Sequence, residues 1–283
     1  MISRNKGILS LGFLVPIVSF IISSVIVWAA YVYYVWPKSE EFLIKRRLVM
    51  ATGDSAILTE RPIYIIIKDL EPAFEIIFCM WGLAILAYKF GHVVYERRLF
   101  TNDFIRVQPG ERIIPEDALD RYKELKIAVE RNPSWRERLL PECMLAALHR
   151  FHATSSIQDA ANAVKERAEL AGDQLDSSLS LVRYIAWAIP AIGFIGTVRG
   201  IGDSLNHAEA AVKGDIGAVT SGLGLAFNST FVGLALCIVL MFVLHMVQER
   251  QEAFIIETQT FCRDKLVDVM KVPNKEESHP AYS

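Results

Sequence analysis

Residues 8–36 contain no Asp, Glu, Lys or Arg, and neither do residues 216–248. Uncharged runs of 29 and 33 positions exceed the roughly 20 helical residues that cross a bilayer core, which excludes a wholly soluble enzyme. Cysteine is scarce: Cys79, Cys143, Cys237 and Cys262 lie far apart with no CxxC spacing, and two of them fall in apolar segments, so no disulfide framework is expected. No excess of positive charge exists either. Thirty basic against 32 acidic side chains leave a net charge of −2 and no basic field for nucleic acid. The chain has no G-x-x-x-x-G-K-[ST], H-E-x-x-H or G-x-S-x-G motif. His149 and His152 stand three apart with no third ligand signalled, so no metal site is expected.

Four membrane helices account for what is present. The first covers residues 1–36 with its apolar core from Ile8 to Trp36, about twice the 7–15 residues of a signal h-region, and reads as an uncleaved anchor. Tyr31, Tyr33, Tyr34 and Trp36 close it as an interfacial aromatic belt. An extracytoplasmic loop follows over residues 37–71. The second helix, residues 72–90, has an uncharged core only from Ile76 to Tyr88, a length that also suits a buried soluble helix. Glu75 and Lys89 lie near its ends and read as interfacial charges. Residues 184–248 hold the third helix, Tyr184 to about Leu205, and the fourth, Ile216 to Gln248. Arg4, Lys6, Lys89, Arg97, Arg98, Arg106, Arg183 and Arg250 fall on one side of four crossings, which puts both termini in the cytoplasm. Lys45-Arg46-Arg47 oppose this, but their loop balances six basic with six acidic residues.

Residues 91–183 form a helical cytoplasmic domain. Leu119, Tyr122, Leu125 and Val129 make one apolar stripe; Leu140, Met144, Ala147, Leu148 and Phe151 make a second. Ile157, Ala161, Val164, Ala168, Ala171, Leu175, Leu179 and Val182 then form a seam in steps of three and four that runs into the third span. No proline falls between Pro190 and Pro273, so the fourth span extends as one helix to about Met270; its ~54 residues would reach roughly 80 Å. The expected fold is an all-α membrane protein with four transmembrane helices, two of them long and projecting into the cytoplasmic domain. Residues 249–283 are the helical extension and a tail disordered from Pro273.

Inside the membrane the pattern is one of small residues. Pro190, Gly193, Gly196, Thr197 and Gly200 occupy the third span, and Gly222, Ala226, Thr230 and Gly233 share one face of the fourth. Such faces let helix backbones approach closely where no hydrophobic drive separates lipid from protein. Thr197 and Thr230 admit two readings: hydroxyls bonded back to their own helices, or oxygens lining a narrow polar path. No carboxylate lies near the centre of either long span, so an ion path would take its carboxylate from another protein.

The stretch Ala188-Ile-Pro-Ala-Ile-Gly-Phe-Ile-Gly-Thr-Val-Arg-Gly-Ile, followed by Leu225-Ala-Phe-Asn-Ser-Thr-Phe-Val-Gly-Leu, resembles the MotA/TolQ/ExbB family of ion-driven motor subunits over roughly residues 140–270. The resemblance implies a homopentamer around a dimer of a MotB/TolR/ExbD-like single-span protein that carries the essential membrane aspartate. It matches Thr197 and Thr230 to the family's pore threonines. No cofactor is implied beyond the transported H+ or Na+, and the implied location is the bacterial cytoplasmic (inner) membrane. Leu225 stands where the transport branch carries a glutamate; four spans resemble MotA, whereas the third-span motif is nearer ExbB, so the branch stays open. Arg136, Glu137, Arg138 and Glu142 form a charged run suited to cytoplasmic coupling, or simply to solvation. The reading is a conducting motor subunit that is not an enzyme; the alternative is a non-conducting scaffold.

Overall fold

The computed structural model describes residues 8–52, 62–102, 104–105, 111–212, 214 and 216–272. Ten α-helices carry almost all of the regular structure among them: α1 (Ile8–Ala30), α2 (Trp36–Thr52), α3 (Ile63–Ile66), α4 (Leu70–Arg97), α5 (Pro115–Arg131), α6 (Leu139–Thr154), α7 (Ile157–Ser177), α8 (Ser180–Asn206), α9 (Ala208–Val212) and α10 (Gly217–Lys265). Four helical stretches are long and apolar enough to cross a membrane, spanning Leu14–Arg46, Leu70–Thr101, Ile157–Asn206 and Gly217–Val269. The chain divides into two compact units, residues 1–88 with 180–246 and residues 89–179 with 247–283.

In the first unit, consecutive membrane helices alternate in direction. Trp81 on α4 donates to the Pro16 carbonyl of α1 at 2.8 Å, while Tyr31, just past the other end of α1, and Trp36, which opens α2, donate to the carbonyls of Ile67 and Lys68 at 2.7 and 3.1 Å. The aromatic belt is therefore split. Tyr31 is buried and anchors the segment before α4, whereas Tyr33 and Tyr34 stay exposed. A π-helical turn, Tyr31–Val35, joins α1 to α2, so the chain remains helical through Thr52. The first part of the expected loop over 37–71 is thus helix, and residues 53–61 lie outside the described residues.

Pro190 sits inside α8, where it withholds the N–H that would bond the Ala186 carbonyl. The Cys237 thiol of α10 donates to that carbonyl at 3.2 Å. A freed backbone acceptor in an apolar setting thereby gains a partner from the neighbouring helix.

The second unit has an ordinary apolar core. Leu125, Leu140, Met144, Ala147, Leu148, Phe151, Val164 and Ala168 bury their side chains together with Cys262, Leu266 and Met270 from the chain's far end. A single bridge between Ile113 and Met270 ties that end down, with Lys271 donating to the Ile113 carbonyl at 2.9 Å. The seam expected to run unbroken into the third span is interrupted at Ser178 and Leu179. Ser178 turns its hydroxyl back onto the Leu175 carbonyl at 2.6 Å, and Leu179 N–H bonds the Asp176 carbonyl three residues back. Serine offering its own hydrogen bond to nearby backbone is the local reason for the break. The tail from Pro273, read as disordered, lies outside the described residues.

Candidate functional site

The small-residue faces of α8 and α10 meet each other. A Cβ on Gly200 would fall onto the Gly222 carbonyl and 2.7 Å from the Ala226 nitrogen; one on Gly222 would lie 2.5 Å from Ser204 Oγ. Backbone thus contacts backbone where both helices lack side chains, as expected of small-residue seams. Six of the small positions face this seam, namely Gly193, Gly196, Gly200, Gly222, Ala226 and Gly233.

That close approach brings Thr197 and Thr230 together. Their hydroxyl oxygens are in direct hydrogen-bond contact across the two helices. Thr197 Oγ1 also lies 3.2 Å from the carbonyls of Gly193 and Ala226, and Thr230 Oγ1 lies 3.3 Å from the same two carbonyls. Each hydroxyl owns one proton. At any moment one hydroxyl can donate to the other while the second donates to a carbonyl, so the pair has interchangeable hydrogen-bond arrangements. Both threonines remain half-buried, flanked by exposed Phe194, Val198, Phe227 and Phe231.

Behind this pair stands a residue that sequence reasoning placed elsewhere. Glu75, read as an interfacial charge at a span end, is 0% exposed. Its Oε1 lies 3.0 Å from the point where a Cβ on Gly193 would sit and equally close to that point on Gly233. The Thr230 Cα is 3.2 Å from the same Gly193 point. Neither carboxylate oxygen has a hydrogen-bond partner. The correction has a register cause. Gly82 of α4 meets Leu240 of α10 and Ile185 of α8, so α4 runs parallel to α10 and antiparallel to α8. In that register Glu75, although only five residues into α4, is level with the middle of the other two spans. The signal available in the sequence was a carboxylate facing glycines, which cannot be read until the helices are aligned.

One turn earlier, Glu71 packs against the Gly196 position, and Arg199 reaches to 3.0 Å from its Oε2 off the hydrogen-bonding direction. Ser229 is also fully buried, with its hydroxyl unpartnered. Asp203 and His245, the other titratable groups considered for the spans, are exposed.

The charged run in the second unit separates into two kinds of residue. Arg138 pairs with Glu96 at 2.8 Å and lies over the Tyr95 ring, and Glu142 pairs with Arg167 at 3.1 Å. Arg136 bonds the Glu130 carbonyl, and Glu137 takes a left-handed φ of 57°; both side chains are exposed. His152 donates to the Pro115 carbonyl at 2.9 Å and His149 packs on Tyr122, so each has a structural partner.

Comparison with curated proteins and with solved structures yields no match. The sequence model of the MotA/TolQ/ExbB proton channel family matches residues 136–260. That range contains the threonine pair and the seam that creates it, and excludes Glu75. A membrane protein by its four apolar helices, the chain is similar over residues 136–260 to the MotA/TolQ/ExbB proton channel family.

Proposed function

We propose that this protein is the ion-conducting subunit of a membrane motor complex, coupling a proton or sodium gradient to mechanical work in transport or motility. The observation that carries the reading is the Thr197–Thr230 hydroxyl contact inside the family-matched helices. Two adjacent hydroxyls with interchangeable donors can serve either protonation state of a carboxyl group, or a desolvated cation, without carrying charge. The half-exposed side of the pair is where a single-span partner bearing a membrane aspartate would dock. The assembly proposed is a homopentamer around a dimer of such a MotB/TolR/ExbD-like partner. It resides in the bacterial inner membrane with both termini and the second unit in the cytoplasm, and conducts ions rather than making or breaking covalent bonds. Arg136 and Glu137, exposed at the start of the matched region, are the proposed coupling contacts there.

Ion flux by the complex reconstituted in proteoliposomes tests this. Thr197→Val/Thr230→Val keeps side-chain shape and removes both oxygens. Flux should fall at least about tenfold, the factor set by roughly 1.4 kcal/mol of lost hydrogen bonding, with assembly intact. The scaffold alternative draws on the hydroxyls' bonds to the Gly193 and Ala226 carbonyls. It predicts wild-type behaviour in the double variant.

A further inference from the structure

Glu75 stands outside the family-matched residues, and neither the threonine pair nor the small-residue seam explains it. A fully buried carboxyl with both oxygens unpartnered is rare, because burying a polar group without a hydrogen bond carries a large free-energy penalty. Intramembrane carboxylates commonly mark ion and proton pathways.

The surroundings select the ion. A metal cation needs several oxygen ligands in its first shell. Beside the carboxyl the Ser229 and Ile189 carbonyls come within 3.3 Å of Cβ positions that Oε1 also approaches; each is a helix-interior carbonyl already bonded within its own helix, and two such neutral oxygens fall short of a metal ion's shell. A proton needs no shell: it binds one carboxylate oxygen and leaves a neutral group suited to an apolar seam. Two glycines make the space, since a side chain at Gly193 or Gly233 would occupy it.

The titratable groups facing Glu75 are few. Glu71 lies one turn earlier on α4, and Tyr31 faces it from the first membrane helix. The Tyr31 hydroxyl is committed to the Ile67 carbonyl, and Arg199 of α8 is taken up by Glu71. From α10 the residues beside it are Ser229, Thr230 and Gly233, all uncharged.

We propose that Glu75 is a proton-binding carboxyl supplied by this chain itself, set behind the Thr197–Thr230 pair and loaded and unloaded during ion movement. Loading forms an O–H bond on one carboxylate oxygen, and unloading breaks it and returns the proton to the path, with nothing oxidised or reduced. The inference rests on the conducting-subunit reading, whose partner aspartate would then act with a second carboxyl rather than alone.

Two measurements on the full complex test it. The first is proton flux into proteoliposomes, read with an entrapped pH dye, for wild type, Glu75→Gln and Glu75→Asp. Gln preserves shape and removes the proton site, so flux should fall about a hundredfold, while Asp keeps a carboxyl and should retain part of it. Wild-type flux in Glu75→Gln overturns the proposal while leaving the conducting reading in place. The second is infrared difference spectroscopy of the wild-type complex over a pH titration. A protonated-carboxyl carbonyl stretch that changes with pH, shifts in D2O and is missing from Glu75→Gln supports the proposal. Absence of such a band, or one unchanged in Glu75→Gln, overturns it. The spectrum answers for Glu75 even when no variant conducts, in which case it is the conducting reading that fails.

Discussion

Glu75 of the first unit and the arginine-paired carboxylates of the second are treated in opposite ways. In the second unit Glu96, Glu142 and Glu257 each meet an arginine, at 2.8, 3.1 and 2.6 Å, around a core of Leu, Met, Phe and Ala. In the first unit Glu75 meets glycines and no donor at all. An ordinary helical core expels its charges to a rim where arginines satisfy them. The membrane bundle holds its helices by backbone contact, and the space left by missing side chains admits a polar group. Packing by absence of side chains is what makes room for chemistry there.

The contrast can be broken most forcefully at Gly200. Gly200→Leu would drive a side chain into the Gly222 carbonyl and the Ala226 nitrogen, both backbone, so the seam must separate. Loss of monodisperse, detergent-extracted protein is the expected outcome, a cost above about 3 kcal/mol. Gly202→Leu two residues on, where a Cβ would meet nothing within 4 Å apart from its chain neighbours and its own helix backbone, should be extracted normally. Equal yields from the two variants would show that the seam does not depend on close approach.

In the second unit the largest effect should come from the apolar core. Phe151→Ala removes a fully buried ring and should cost about 3–5 kcal/mol in denaturant unfolding followed by tryptophan fluorescence. Arg138→Ala comes next. It strands the nearly buried Glu96 carboxylate and uncovers Tyr95, for about 1–3 kcal/mol. The double variant Glu96→Gln/Arg138→Gln should recover part of that loss, because no unpaired charge is left behind. Smallest is Arg97→Gln, which removes the half-exposed pair with Glu257 and should change stability by under about 1 kcal/mol. A cost there equal to that of Arg138→Ala would mean that exposure does not grade these pairs.

Much of the fold is legible along the chain. Uncharged length marks the first and fourth membrane helices, and helical spacing marks the stripes on α5 and α6, because both depend only on what one helix presents to its surroundings. The small-residue runs around Thr197 and Thr230 are likewise a local pattern, and the threonine pair follows once the two faces meet. Other features depend on neighbours. Cys237 bonding the Ala186 carbonyl requires the offset between α8 and α10. The division of Arg136, Glu137, Arg138 and Glu142 into exposed and paired side chains requires Glu96 and Arg167 from other helices.

Glu75 marks the boundary between the two kinds of information. By itself the sequence determined that α4 is apolar with a glutamate near its start, since hydropathy is a property of composition and order. Only the tertiary structure decided that this glutamate is level with the middle of α8 and α10. Helix register is set by contacts such as Gly82 with Leu240, which join residues more than 150 positions apart and leave no trace in either segment alone.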